Sequence, residues 1–221
     1  MKLRKMEIVN LAAIVIVFAV AAYLYPLLPE RVASHWDING QVNGYMSRFW
    51  GAFFVPVLTL GLYILFIFVP RVDPKKENIE KFRSSFDTFV SLFLLFMFYI
   101  YALTIFWTFG YVFNMSQLMI PAFALLIFAM SVLVKNAEPN WSIGIRTPWT
   151  LSSELVWRKT HAFGNKLFAL AAILTLLGIF FPGQALWFAL IPIIACSLIV
   201  VVYSYLEFMK HPGLTARGFR A

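Results

Sequence analysis

The sequence predicts an all-α membrane protein, a bundle of six transmembrane helices with both termini in the cytoplasm. Three observations predict it. Of 221 residues, 62% are hydrophobic and only 13% are charged, against about 45–50% and about 25% in soluble domains. A soluble fold keeps much of its surface wet and cannot absorb that excess. Six apolar runs follow one another, at roughly 8–28, 49–69, 89–113, 118–134, 163–181 and 185–206, and crossing the hydrocarbon layer takes about 20 helical residues. Finally, sixteen of the 18 Lys and Arg fall in the termini and alternate connections, whereas Arg31 and Arg48 alone fall in the others. Positive loops stay inside, so this asymmetry sets the orientation. It also accounts for the net charge of +8 through an anionic inner leaflet, with no call for direct nucleic-acid binding.

Each element has its own reason. The start Met1-Lys2-Leu3-Arg4-Lys5 before an apolar run resembles a signal peptide, but the run exceeds the usual 7–15-residue core. The following Tyr23 to Glu30 lacks a small-x-small cleavage pattern. The run therefore reads as a retained first helix. No run alternates with period two, which argues against a membrane barrel and leaves helices to satisfy the backbone in lipid. The fifth run is the weakest and needs Phe163 to join it while Lys166 snorkels to the interface.

The external connections are expected to be one long loop, 29–48, and two tight ones at 114–117 and 182–184. The tight ones make runs three and four, and runs five and six, antiparallel hairpins. Inside, 70–88 is charged and reads as surface-helical or mobile. The chain forms one membrane domain, 1–221. Within it lie an N-terminal hairpin (1–70), a charged loop with the second hairpin (71–134), and a motif loop with the last hairpin (135–221).

The membrane interior is nearly free of ionisable groups, since Glu7, Asp87 and Glu207 sit at run ends where water is in reach. Intramembrane carboxylates usually mark proton or ion pathways, so an ion-coupled transporter is disfavoured. Mid-run Thr59, Thr104, Thr108, Ser131, Thr175 and Ser197 read as helix-packing contacts. Cys196, the single cysteine, excludes an internal disulfide. His35 falls outside while His161 and His211 fall inside, so no metal site joins the three. A local His35–Asp37 pair offers too few ligands for a metal, and no metal or other cofactor is expected. His35 reads as a hydrogen-bonding loop residue.

One segment stands apart from the hydrocarbon-compatible remainder. Asn136 to Lys166 is a polar island holding three of the seven tryptophans, four basic residues and one of the three histidines. Gly144 before Ile145-Arg146-Thr147-Pro148 suggests a sharp backbone feature, and Pro148 pushes Thr147 to an extended conformation. Arg146, held between Trp141 and Trp149, suits bidentate binding of an anion or stacking on a ring, with a lipid phosphate as the plainer partner. Thr150 to Ser153 read as a helix start, with Glu154 favourable in the first turn. Trp157, His161 and Gly164 then share one face, expected to rest on the membrane interface before the chain bends into the fifth run.

The motifs resemble the SdpI family of bacterial and archaeal membrane proteins. The first match runs from Leu28-Pro29 through His35-Trp36 to Asn39-Gly40 and Gly44-Tyr45. The second comprises Asn140-Trp141, Gly144-Ile145-Arg146-Thr147-Pro148-Trp149-Thr150, Trp157, His161 and Gly164. The resemblance implies a non-enzymatic protein of the cell membrane that confers immunity to a secreted toxin peptide. A small cytoplasmic repressor held at the membrane is a second partner it implies. Loop 29–48, with Pro29, His35, Trp36, Asn39, Gly40, Gly44 and Tyr45, is then the external contact, and Arg146, Trp149, Trp157 and His161 contribute inside. Two other classes are open: a small-solute channel or transporter, and a membrane enzyme on a lipid-linked substrate with His161 as acid–base and Arg146 on phosphate.

Overall fold

The computed structural model describes residues 3–211. Lys2, Arg217 and Arg220, counted above among the basic residues of the termini, lie outside the described residues. The elements are α1 (Lys5–Leu24), strands β1 (Arg31–Trp36) and β2 (Val42–Ser47), α2 (Arg48–Val72), α3 (Lys76–Lys81), α4 (Arg83–Thr108), α5 (Met115–Asn136), α6 (Pro148–Ser152), α7 (Glu154–Leu176) and α8 (Ala185–Met209). Six helices are long and apolar enough to cross a membrane: α1, α2, α4, α5, α7 and α8. The protein is multi-pass. The connections alternate between two ends of the bundle, here called the hairpin end (β1 and β2) and the motif end (residues 137–153).

Helix α4 links the halves of the bundle, packing on α1 and α2 to one side and on α5 to the other, while α5, α7 and α8 pack together. Large aliphatic and aromatic side chains fill the contacts, with Ile14, Tyr63, Phe86, Leu94 and Trp157 in the largest cluster. The expected hairpins α4–α5 and α7–α8 are both present. The buried hydroxyls of Thr59, Thr104, Ser131 and Thr175 donate to carbonyls of their own helices. That bond lets a small polar residue sit in a packed seam without an unpaired group. Ser197 bonds Ile193 in the same way but is exposed, so it is no packing contact.

The structure corrects several expectations. Residues 29–48 form an antiparallel β-hairpin rather than a loop. Its turn is built by the Asp37 carboxylate, which accepts the backbone N–H groups of Asn39 and Gln41 (both 2.9 Å), and by Gly40 at φ +77°. The fourth helix begins earlier than expected, at Met115, because the Asn114 side chain caps it by accepting the Gln117 N–H at 2.9 Å; the tight connection is thus 109–114.

The fifth run has no bend after an interfacial helix. Helix α7 is continuous from Glu154, with Ser153 as its capping residue, and the Trp157–His161–Gly164 face is buried inside the protein. Between α2 and α4, the charged connection is helical and packed, with Ile79 fully buried.

Glu7 and Glu207 do not reach water, being only 3% exposed each. Glu7 receives Arg71 Nη2 at 2.6 and 2.8 Å and Arg83 Nη2 at 2.8 Å. Arg83 also donates to Asp87 at 2.7 Å. One carboxylate thereby ties α1, α2 and α4 together, since a buried charge is tolerable only when paired and hydrogen-bonded. Glu207 is held by Lys159 and Lys210, which joins α8 to α7.

Candidate functional site

The polar island is organised from its asparagine outward. The Asn140 carboxamide donates to the carbonyls of Glu138 and Ile143 (2.8 Å each) and accepts the N–H groups of Ser142 (2.8 Å) and Ile143 (2.6 Å). All its hydrogen-bonding capacity is used, which is the condition for its burial at 1% exposure. Asp73 braces the turn from the α2–α3 connection, accepting the Trp141 N–H at 3.0 Å and the Ser142 hydroxyl at 2.5 Å. Asn78 adds a bond to the Pro139 carbonyl (2.7 Å).

Gly144 adopts φ +112°, a region open to glycine alone at little cost. A Cβ there would stand 2.6 Å from His161 Nε2. His161 is 2% exposed. Its Nδ1 lies 2.8 Å from the Trp157 carbonyl and its Nε2 accepts the Ile145 N–H at 3.0 Å. The ring is therefore a neutral imidazole with the proton on Nδ1, stacked on the Trp157 ring at 4.0 Å between centroids. Trp157 Nε1 donates to the Ala137 carbonyl at 2.7 Å. At Gly164 a Cβ would lie 2.6 Å from Ile145 Cδ1, so the end of that side chain would have to move aside.

Thr147 and Thr150 cap the start of α6 reciprocally, with Pro148 in the first helical position, where its missing N–H costs nothing. The Thr147 hydroxyl meets Ser204 of α8 at 3.0 Å, and Trp149 packs on Tyr205 at 5.1 Å. Arg146 is exposed and donates to the Trp141 carbonyl (2.7 Å). Trp141 is 55% exposed. A cleft of about 190 Å³ opens beside it, with Lys75, Leu151 and Glu154 on its walls.

The structure brings Asn140, Gly144, Thr147, Thr150, Trp157, His161 and Gly164 together as one saturated scaffold, and leaves Trp141 and Arg146 pointing out of it. It does not bring His161 and Arg146 into a shared pocket: His161 is enclosed by backbone groups, and Arg146 sits on the exposed side of the turn.

At the hairpin end, Val32 is buried against Leu28 and Ala52, in a cluster with Tyr101 and Ile105. Trp36 meets Trp107 edge-on at 6.3 Å. His35 Nδ1 pairs with Asn43 Oδ1 across the strands (2.5 Å), so it is a hydrogen-bonding residue, as expected. Gly44 lies opposite His35 beside a register shift. Pro29 and Tyr45 are exposed, and Arg31 rests 4.9 Å over the Tyr45 ring. Asn114 Nδ2 donates to the Asn39 carbonyl at 2.8 Å, and a Cβ on Gly40 would collide with Asn114; the turn is thus latched to the start of α5. Among the described residues, three buried donors here have no hydrogen-bond partner: Trp36 Nε1, Arg48 Nε and Tyr101 Oη.

Sequence reasoning missed the Glu7–Arg71–Arg83 hub, the Asp73 brace and the hairpin latch. Asn39-Gly40 was a readable turn signal; the other contacts join residues more than sixty positions apart and leave no local trace.

Two family models match the chain. Residues 12–60 match the Domain of unknown function (DUF1648), and residues 136–205 match the SdpI/YfhL protein family. A curated relative, "Immunity protein SdpI" from Bacillus subtilis (strain 168), is 23% identical over 206 residues, covering 93% of this chain and 97% of that protein. No solved structure matches. The chain is thus similar to the SdpI/YfhL protein family through its motif segment, and to an immunity protein along nearly its whole length.

Proposed function

We propose that the protein is an integral-membrane immunity protein that protects its cell from a secreted peptide toxin. The observation that carries this reading is the match to an immunity protein along nearly the full length of both chains. The hairpin end is its external, peptide-contacting face and the motif end is cytoplasmic. Among the described residues, thirteen of 15 Lys and Arg lie on the motif side of the spans, which supports that orientation.

At the hairpin end, Pro29, His35, Trp36, Asn39, Gly40, Gly44 and Tyr45 form or flank the contact surface. The three unpartnered donors around it support a receptive role, since buried polar groups ordinarily find partners. At the motif end, Trp141 and Arg146 beside the cleft are the contact for a small cytoplasmic repressor, and the scaffold of Gly144, Thr147, Pro148, Trp149, Thr150, Trp157, His161 and Gly164 holds them in place. His161 commits both nitrogens to the backbone, which supports a role without catalysis. The apolar filling of the helix contacts speaks against a solute channel.

The test is expression in cells sensitive to a secreted peptide toxin of the kind the SdpI relative counters. Survival of cells making the intact chain is expected. Equal killing with and without the chain, at matched membrane levels of protein, ends the immunity reading.

A further inference from the structure

The hairpin carries a surface whose chemistry is more specific than its exposure. A two-stranded sheet leaves each strand one unpaired edge. β1 is the strand seated on the bundle, with Val32 and Ala33 buried and contacts to α2 and α4. β2 alternates half-buried and exposed residues along its whole length. The ladder's phase follows from two facts: Arg31 pairs with Ser47, and the Arg48 N–H donates to the Glu30 carbonyl at 3.0 Å. In an antiparallel ladder, bonds that flank a pair in this way belong to a non-hydrogen-bonded pair, whose own N–H and C=O point away from the partner strand. Arg31–Ser47 and Ala33–Tyr45 are such pairs, and Val32–Met46 between them faces inward. The N–H and C=O of Tyr45 and the N–H of Ser47 are therefore turned to the free edge of β2, while the Ser47 C=O, at the N-cap of α2, is taken by the helix's first turn.

Natural sheets block such edges with lysine, proline or covering elements. β2 reads Val-Asn-Gly-Tyr-Met-Ser and contains neither residue. The chain next to it is aromatic and exposed, with Phe49 and Trp50 each at 51%, where α2 enters its membrane span.

We propose that β2 is a strand-addition site: an extended peptide segment pairs with the outward N–H and C=O of Tyr45 and the outward N–H of Ser47 as a third strand. Backbone pairing of this kind gives affinity, and side-chain pockets at alternate positions give selectivity. The segment that fits carries apolar residues on the side that meets Phe49 and Trp50 and tolerates Arg31 on its exposed side. The inference rests on the immunity reading for the biological source of the peptide, but not for the pairing itself.

The experiment uses the full chain in nanodiscs, with amide exchange read residue by residue. The probe is a synthetic hexapeptide of alternating threonine and valine, compared with the same peptide N-methylated at alternate residues so that one backbone edge cannot donate. The expected result is roughly tenfold slower exchange at Tyr45 and Ser47 with the unmodified peptide and no change with the methylated one. Equal protection by both peptides, protection elsewhere only, or none at all overturns the proposal. Tyr45→Pro is the matching variant, because it removes an outward N–H and no ladder bond. It is expected to retain its melting temperature and lose the peptide effect. In toxin-sensitive cells, survival with Tyr45→Pro equal to the unmodified chain overturns strand addition and leaves the immunity reading intact; killing of cells carrying the unmodified chain ends the immunity reading alone.

Discussion

Gly144 and His161 are shaped to each other: the glycine holds φ +112°, and any Cβ on it would lie 2.6 Å from the imidazole Nε2. That nitrogen accepts the N–H of Ile145, the next residue. Backbone conformation and buried acceptor thus depend on one another, and the pairing of a glycine with a histidine 17 residues later has a structural cause. Gly144→Ala is expected to lower stability by about 2–4 kcal/mol, from strain at positive φ and displacement of a buried ring. Thermal unfolding in detergent measures it; an unchanged melting temperature would show that the turn relaxes at no cost.

Trp157 closes the same scaffold from the other side, its indole donating to the Ala137 carbonyl at the C-cap of α5. Trp157→Phe keeps most of the ring and removes the donor, with an expected loss of about 1–3 kcal/mol. Trp157→Ala also opens a cavity and is expected to cost roughly 3–5 kcal/mol. The ordering of the two variants in the same unfolding assay is the check. Equal losses would mean that the hydrogen bond contributes nothing beyond packing.

Glu7 is the hub of the opposite half. Replacing it with Gln leaves Arg71 and Arg83 facing a neutral group in a buried site, and removing one member of a buried ion pair costs about 3–5 kcal/mol. The Arg4–Glu80 pair is about half exposed, and Arg4→Ala is expected to cost under about 1 kcal/mol. Unfolding of the two variants side by side distinguishes a structural hub from an incidental contact; comparable small losses would remove Glu7 from that role.

How much of this was readable follows from what each signal encodes. Apolar run length reports lipid exposure, so six helices were legible. The start of α7 at Ser153 and Glu154 was legible in its capping residues, but its unbroken run into the fifth span was not, because Glu154 to Ala162 lies outside the apolar run. The hairpin was hidden by its length: Arg31–Trp36 and Val42–Ser47 are too short, and too interrupted by register shifts, to display a clean alternation. Glu7 looked like a run-end carboxylate because its partners are 64 and 76 residues away. Motif residues were recognisable by type, yet Trp157 and His161 read as interfacial until their face was seen buried against Ala137 and Ile145.

Arg146 separates folding from function. It is exposed and bonds only the Trp141 carbonyl among the described residues, so Arg146→Ala is expected to change stability by less than about 0.5 kcal/mol. Insertion, scored with a topology reporter, is expected to be normal. A contact role predicts loss of cytoplasmic partner capture with unchanged membrane levels. Misinsertion would instead assign the arginine to membrane anchoring.

Asn114 and Gly40 test whether the hairpin must be held in place to work. The Asn114 side chain caps α5 and also donates to Asn39, so Asn114→Ala loses both a cap and a latch, whereas Asn114→Asp keeps the capping oxygen and loses the donor. The cap is worth about 1 kcal/mol, so the alanine variant is expected to melt lower than the aspartate variant. Both lose the latch, and both are expected to protect cells less well than the unmodified chain. Gly40→Ala reaches the same latch from the other side, through strain at φ +77° and collision with Asn114. If survival follows melting temperature across the three variants, the latch matters only for stability. If survival falls equally in Asn114→Ala and Asn114→Asp while their melting temperatures differ, the position of the hairpin over α5 is what the protective function requires.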